Sequence, residues 1–284
     1  MVDVFSIQQL EEVVKDFKEN SMRPLHDPSL APITWYRGQS KSNYQLVPSL
    51  YRINLGNAEN FIEFEQKAIS QYIEKCRQLG ISMEDSSWDI FYSMQHYGVK
   101  TRALDWSEKA LIGLFFAFEK WNPEASDAAL FLLDPIALNF IVTKRPELMV
   151  AKEDNDKYSY LKSLEAKNSG TLAVEPRFKD DVENTVNKRI IKQNGRFTLH
   201  ETKWPLEAEI DIRLASDQVH ILSNNIKSKN VLLKVNLKKQ MYDEIKRYLL
   251  EKGVDYTFVY PDIEGVANLV NRGSLPNLDW YKYL

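Results

Sequence analysis

SEKALIGLFFAFEKW, residues 107–121, contains the longest apolar run of this 284-residue chain, at positions 110–118. The pattern predicts a helix from Ser107 to about Trp121 that is apolar on almost every side. A helix of this kind is usually buried at the centre of a domain. The run is far shorter than the roughly 20 apolar residues that a helix needs to cross a bilayer. We therefore expect a central core helix here rather than a membrane span.

On either side of this stretch, apolar residues that recur every three to four positions predict helices, and short β-prone runs predict strands. The predicted helices cover residues 7–17, 61–79, 87–97, 107–121 and 239–251. The predicted strands cover residues 33–36, 128–133, 170–174, 218–222, 231–237 and 256–260. Helices dominate the first half and strands the second, which indicates an α+β fold. We expect a helix-rich N-terminal half packed on a mixed, mostly antiparallel sheet.

Local signals mark the borders of these elements. Ser6 can cap the first helix by accepting a hydrogen bond from the amide of Gln9. Residues 21–32 contain three prolines and predict a loop, and residues 154–167 are polar and predict a surface insertion. We expect residues 1–32 to be an N-terminal helix and loop that pack on one domain, residues 33–284.

The composition is that of an ordinary globular protein. A hydrophobic fraction of 44% with a net charge of −3 excludes intrinsic disorder and leaves no overall field to attract nucleic acid. Cys76 is the only cysteine, so no intrachain disulfide can form, which fits a reducing compartment. The N-terminal residues lack the pattern of a secretory signal. We therefore expect a cytoplasmic protein that does not associate with membranes.

Four segments carry residue types that are typical of functional sites. The first, WYRGQS at residues 35–40, is a strand that leads an arginine into a glycine turn. The second, QHYGVKTRALDWS at residues 95–107, leads directly into the apolar helix. The third runs from Arg189 to His200, and the fourth, YPDIEG, covers residues 260–265.

Together these segments resemble the FRG domain, a family named for its aromatic-Arg-Gly signature. The resemblance runs from about Ile33 to Leu269, and the second segment is its longest and most specific part. Two positions depart from the family, which often has proline at Lys100 and leucine at Ala103. Because related domains occur in bacterial and phage-associated proteins, the resemblance implies a toxin or an antiphage defence effector, with a cognate antitoxin or regulatory protein as partner.

A weaker likeness, to ADP-ribosyltransferases, implies NAD as the substrate. Those enzymes open with a strand that ends in an arginine or histidine and close with a glutamate, an order that maps onto Arg37 and Glu264. By this likeness Glu264 is the catalytic carboxylate and His96 assists it. The residues implied to hold NAD are Arg37, Gly38, Gln39, Gln95, Tyr97, Thr101 and Arg102. The alternative is a non-catalytic module that binds a nucleotide, a nucleic acid or a phage protein.

Each candidate residue also has a purely structural interpretation. Arg37 beside Gly38 suits the capture of phosphate by a fork of N–H donors, but an ion pair with Asp105 is equally consistent with the sequence. His96 lies at a helix C-terminus, which favours a protonated imidazole. In one interpretation Glu264 follows the predicted strand 256–260 as a carboxylate that activates a ribose hydroxyl and stabilises an oxocarbenium-like centre. In the other it lies in the first turn of a helix that Asp262 caps.

Other site classes receive less support from the sequence. Asp105-Trp106-Ser107 is interpreted as structural, with Asp105 or Ser107 capping the apolar helix. The histidines lack the spacing of metal ligands, so no metal is expected. A basic cluster that could contact a nucleic acid backbone, although a solvated helix face is the commoner meaning, comprises Lys188, Arg189, Lys192 and Arg196. Gln193, His200, Glu201 and Asp262 are further residues that could line a pocket.

Overall fold

The structure is a computed structural model in which part of the chain is described. The described residues are 1–23, 31–54, 58–81, 86–151, 170–178, 185–215 and 228–273. The predicted insertion at 154–167 and the predicted strand at 218–222 lie outside them.

Within these residues the strands are β1 (Val2–Val4), β2 (Trp35–Gln39), β3 (Ala103–Ser107), β4 (Ala128–Leu133), β5 (Met149–Val150), β6 (Leu172–Glu175), β7 (Gly195–Leu199) and β8 (Leu232–Leu237). The helices are α1 (Ile7–Glu19), α2 (Ala58–Gln78), α3 (Ser87–His96), α4 (Ala110–Glu119), α5 (Pro135–Thr143), α6 (Thr185–Lys192), α7 (Leu206–Leu214), α8 (Ser228–Val231), α9 (Tyr242–Glu251), α10 (Tyr256–Val259) and α11 (Ile263–Arg272). Short 3₁₀ turns cover Leu50–Arg52 and Lys239–Met241. None of the described helices is long and apolar enough to cross a membrane.

All the described strands form one sheet, in the order β1-β8-β4-β2-β3-β7-β6-β5. The outermost pairs, β1 with β8 and β5 with β6, are parallel, and the other neighbours are antiparallel. This confirms the predicted combination of helices with a mixed, mostly antiparallel sheet. The centre of the sheet, β4-β2-β3, comes from the first half of the chain.

The apolar helix α4 covers one face of β2 at very short range, because glycines stand where the two elements cross. A Cβ atom added to Gly38 would lie 2.0 Å from the carbonyl oxygen of Gly113 and 2.2 Å from the amide nitrogen of Ala117. Only glycine allows a strand and a helix backbone to approach this closely. On this face the missing side chain of Gly38 therefore makes room for α4, while Gly38 also lies in the wall of a cavity between β2 and β3.

Side chains alternate between two cores on either side of the sheet. Tyr36 packs in the core that contains α1, α4 and α9, whereas the preceding Trp35 packs in the core that contains α5 and α7. Both side chains are buried. Helix α4 is thus a buried part of the first of these cores, as its all-round apolar pattern predicts.

Helix α4 begins at Ala110, three residues later than predicted, because residues 103–107 form β3 instead. Ser107 does not cap α4, whose N-cap is Lys109. The Ser107 hydroxyl instead accepts a hydrogen bond from the Lys109 amide and donates one to the carbonyl oxygen of Gln193. Asp105 also lies inside β3, so the capping role assigned to Asp105 or Ser107 is wrong.

The predicted strand at 256–260 is also wrong, since Tyr256–Val259 is a short helix. The Asp255 side chain accepts hydrogen bonds from the Phe258 amide and the Thr257 hydroxyl, which favours a helical turn over an extended strand. The aromatic and β-branched residues that indicated a strand are instead buried against α4. The remaining predicted helices, and the strands at 128–133, 170–174 and 231–237, are confirmed with shifted ends.

Candidate functional site

The sheet opens between β2 and β3. These strands pair at a single position, Tyr36 opposite Ser107, whereas β2 pairs with β4 along all five of its residues. Beyond that position the strands separate, and the guanidinium of Arg37 donates a hydrogen bond across the gap to the carbonyl oxygen of Asp105. The Arg37 side chain thus links the two strands where backbone hydrogen bonds between them are absent. A cavity of about 490 Å³ lies between the separated strands.

The walls of this cavity, which we call the split-sheet cavity, come from both strands and from neighbouring helices. Its polar lining includes Arg37, Gln39, Arg52, Gln95, His96, Asp105, Glu119, Lys120, Arg189 and Gln193. Its aromatic lining comprises Tyr36, Tyr44, Tyr92, Trp106, Phe116, Phe197 and Tyr260. Concave sites of this size with apolar walls and convergent polar groups are typical of small-molecule ligands.

Arg37 lies in this cavity with its side chain 21% exposed. Burial lowers the pKa of its guanidinium, Asp105 acts in the opposite direction, and nearby Arg52 lowers it further. The Asp105 carboxylate is 4.0 Å from Nη1, a loose ion pair. Among the described residues, the buried Nε atom of Arg37 has no hydrogen-bond partner. The ion pair with Asp105 is thus present in a loose form, and the capture of phosphate by Arg37 stays a prediction.

A chain of polar contacts supports the opposite wall strand. The amide nitrogen of Gln95 donates to both carboxylate oxygens of Asp105, at 2.9 and 3.0 Å. The amide oxygen of Gln95 accepts a hydrogen bond from the Thr101 hydroxyl. Because Thr101 is fully buried, it acts through Gln95 and does not reach the cavity. Gln95 and Asp105 therefore form one rigid polar unit beside Arg37.

The segment that forms most of this cavity coincides with a known family. The chain's residues 33–126 match the FRG domain. No curated protein and no solved structure is similar enough to this chain to count as a match.

The match covers β2, α3, β3 and α4, so the FRG segment (residues 33–126) contributes Arg37, Gln95, Asp105 and Glu119 to the cavity. The remaining walls come from later in the chain, at Arg189–Gln193, Phe197 and Tyr260.

His96, also in the FRG segment, lines the cavity at the C-terminal end of α3. Burial lowers the pKa of its imidazole, and the cation Arg189 lowers it further. At this helix end, desolvation therefore acts against the protonated ring. The next residue, Tyr97, is 65% exposed and does not line the cavity.

Arg102 lies away from the cavity in a buried cluster. Its guanidinium is 3.3 Å from the Glu65 carboxylate and 3.8 Å from that of Glu201, and the Arg102 side chain is only 3% exposed. Its charge is thus already compensated inside the protein. His200 is fully buried as well, and burial lowers the pKa of its ring to about 3. The structure does not bring Arg102, Glu201 or His200 to the cavity.

Glu264 lies in the first turn of α11, which Asp262 caps by accepting hydrogen bonds from the amides of Glu264 and Gly265. This arrangement corresponds to the capped helix considered for the sequence. The Glu264 side chain is 61% exposed, does not line the cavity and pairs with Arg189 at 2.9 Å. Glu264 therefore stands outside the cavity, although its charge still reaches His96 and raises the pKa of that imidazole.

The predicted basic cluster is largely compensated. Arg189 pairs with Asp262 and Glu264, and its guanidinium lies 4.8 Å from the ring centre of Tyr260. Arg196 pairs with Glu108 at 3.0 Å and with Glu175 at 3.2 Å. These arginines are held by carboxylates and thus offer little free charge to a nucleic acid backbone.

The cavity residues that the sequence did not indicate include Glu119, Arg52 and Tyr44. Glu119 ends α4, Arg52 lies in the 3₁₀ turn Leu50–Arg52, and Tyr44 lies in the loop after β2. Burial raises the pKa of the Glu119 carboxyl, and the Tyr260 hydroxyl is 3.3 Å from each of its oxygens. One signal could have indicated Glu119, a carboxylate at the end of an otherwise apolar helix. The positions of Arg52 and Tyr44 depend on long-range packing that no local pattern records.

Proposed function

We propose that the split-sheet cavity binds a nucleotide through its phosphate groups, with NAD as the first candidate, and that the protein is an NAD-using transferase or glycohydrolase acting as a toxin or antiphage defence effector. The observation that carries this proposal is the pair of guanidinium groups, Arg37 and Arg52, in one aromatic-lined cavity. The FRG family match supports it, because the matched segment supplies both arginines.

The charges at this position favour an anion. Arg52 lowers the pKa of Arg37, so the two cations repel each other in the free protein. The Nε atom of Arg52 donates to the carbonyl oxygen of Val47, and no ion pair within 4 Å involves Arg52 among the described residues. The Nε atom of Arg37 also lacks a partner there. A phosphate group placed near both guanidinium groups would relieve the repulsion and accept hydrogen bonds from their remaining N–H groups.

The rest of the lining suits the base and ribose of a nucleotide. Tyr44 and Phe116 offer aromatic rings against which a base can stack. The buried amide oxygen of Gln39 has no hydrogen-bond partner among the described residues and can accept a bond from a hydroxyl or amino group. A volume of about 490 Å³ falls within the range of small-molecule sites.

Titration calorimetry of the full chain with NAD, ADP and adenosine tests this proposal. We expect NAD and ADP to bind and adenosine to bind at least about tenfold more weakly, because it lacks the phosphates. Arg37→Gln removes charge-assisted hydrogen bonds worth about 1.5–3 kcal/mol, so Kd should rise roughly 10- to 150-fold. Arg77→Gln is the matched control, since Arg77 is 72% exposed on α2 and outside the cavity.

Two results would count against the proposal. If none of the three compounds binds, or if Arg37→Gln binds NAD as tightly as the parent chain, the cavity is not a nucleotide site of this kind. Release of nicotinamide, followed by chromatography, then separates an enzyme from a binding module.

A non-catalytic nucleotide-binding module is the second candidate. The location of Glu264 outside the cavity favours it, because the carboxylate implied by the likeness to ADP-ribosyltransferases is not beside Arg37. Binding of NAD without any nicotinamide release, in the presence of cell lysate as a source of acceptors, would favour this candidate.

A further inference from the structure

The split-sheet cavity contains a carboxylate, Glu119, that the likeness to ADP-ribosyltransferases did not indicate. Glu119 is the last residue of α4, the most buried helix of the FRG segment. We propose that Glu119, held by Tyr260, is the catalytic general base of the site. This inference rests on the proposed function, because it requires a nucleotide to occupy the cavity.

The three carboxylates near the cavity differ in how they are bound. Asp105 has both oxygens occupied by the amide of Gln95 and also faces Arg37. Glu264 is paired with Arg189 outside the cavity. Glu119 forms no ion pair within 4 Å among the described residues, and a neutral phenol is its hydrogen-bond donor. Glu119 is therefore the carboxylate of the three whose oxygens are not held by a cation or an amide.

Tyr260 holds this carboxylate in a fixed position. Its hydroxyl is 3.3 Å from both oxygens of Glu119, and its ring packs edge-on against Phe115 and Phe116 at centroid distances of 6.1 and 6.2 Å. Both phenylalanines belong to α4, so the helix that carries Glu119 also fixes its hydrogen-bond donor. Such pre-organisation is what general-base catalysis requires of a side chain.

Burial keeps the proton affinity of Glu119 high. Burial raises the pKa of the carboxyl, and Glu264 on α11 raises it further. Lys120 next in the chain, the Tyr260 hydroxyl and Arg272 on α11 lower it. Burial is the largest of these effects, so the carboxyl has a pKa above the ordinary glutamate value. A base is most effective when its pKa lies closer to neutral pH.

The reaction follows from the chemistry of the substrate class. The oxygen of a water molecule forms a bond to the ribose C1′ atom of NAD while the C1′–N bond breaks. The bonding pair leaves with the nicotinamide nitrogen, which becomes neutral. The ionised Glu119 carboxylate takes the proton of the attacking water and later releases it to solvent. No oxidant or reductant is needed.

The experiment measures NAD affinity and nicotinamide release for the parent chain, Glu119→Gln and Glu124→Gln. Glu124 is the matched control, because it is an exposed glutamate in the loop after α4 and does not line the cavity. We expect Glu119→Gln to lower kcat by about 100-fold or more, the range of general-base catalysis, with NAD affinity changed less than about threefold. Melting temperatures confirm that both variants fold.

The pH profile tests the role of Tyr260. Since the base must be ionised, kcat should rise with pH through the raised pKa of Glu119 and then level off. Tyr260→Phe removes a hydrogen bond that favours the ionised form, so this rise should move to higher pH, whereas a merely structural loss would lower kcat equally at every pH.

The outcomes separate the two proposals. If NAD does not bind the parent chain, the proposed function fails. If NAD binds but is not consumed, or if Glu119→Gln turns over like the parent chain, the inference about Glu119 fails while nucleotide binding stands. Loss of turnover in Glu264→Gln but not in Glu119→Gln would likewise overturn it in favour of Glu264.

Discussion

Replacing Gly38 with alanine tests the arrangement that opens the split-sheet cavity. The added Cβ would lie 2.0 Å from the carbonyl oxygen of Gly113, about 1.4 Å short of the 3.4 Å at which ordinary contact begins. The other close atoms, the amide nitrogen and Cα of Ala117 at 2.2 and 2.9 Å, are also backbone and cannot rotate away. Helix α4 must therefore move off β2 by about 1 Å.

The cost follows from what α4 buries. Its movement separates Leu114, Phe115 and Phe118 from the core, and overpacking of a rigid contact costs about 3 kcal/mol or more. For a domain of this size, we expect the Tm to fall by roughly 6 °C or more. Because α4 carries Phe116 and Glu119, the affinity for NAD should fall as well.

Urea unfolding followed by circular dichroism, with Gly98→Ala as control, provides the measurement. A Cβ on Gly98 would meet nothing within 4 Å, so this change adds only the strain of its positive φ of 77°, about 1–2 kcal/mol. If Gly38→Ala is no less stable than Gly98→Ala, α4 does not approach β2 as closely as described, and the account of Gly38 is refuted.

Two further predictions concern the buried polar groups beside the sheet. Arg102→Met leaves the buried carboxylates of Glu65 and Glu201 without their cation. The free energy of unfolding in urea should therefore fall by about 3–5 kcal/mol. A decrease below about 1 kcal/mol would contradict the buried ion pairs. His200 stays neutral when folded because burial lowers its pKa to about 3, whereas the unfolded ring binds a proton below about 6.5. As the pH falls from 6 to 4, the free energy of unfolding should therefore decrease by about 1.4 kcal/mol per pH unit because of this residue. In His200→Gln, the dependence of the free energy of unfolding on pH should become weaker by that amount. An unchanged pH dependence would show that His200 is not the group responsible.

Local patterns predicted much of the fold. The capped helix that begins after Ser6, the amphipathic helix α2 and the apolar α4 all form where the residues indicated, because their signals act over a few positions along the chain. The prediction failed at 256–260, where a cap at Asp255 outweighed a β-prone composition. It also failed at Asp105, where pairing with β7 makes a strand of residues that resemble a helix start.

The candidate site was predictable only in part. The segments at 35–39 and 95–98 do meet in one cavity, at Arg37, Gln39, Gln95 and His96. Thr101 and Arg102, although close in sequence, are buried, because the Thr101 hydroxyl donates to Gln95 and Arg102 pairs with Glu65. Glu119 and Tyr260 are 141 positions apart and meet only in the folded chain.

The FRG segment was thus identifiable from the sequence alone, because short motifs of aromatic residues, arginine and glycine are read along the chain. The sequence also determined the buried helix, since its composition permits no solvated face. Only the tertiary structure decided that Gly38 serves helix packing and that β2 and β3 separate to form the cavity. The position of Glu119 beside Tyr260 in this cavity likewise depends on the tertiary structure, because it requires distant backbones and side chains to pack together.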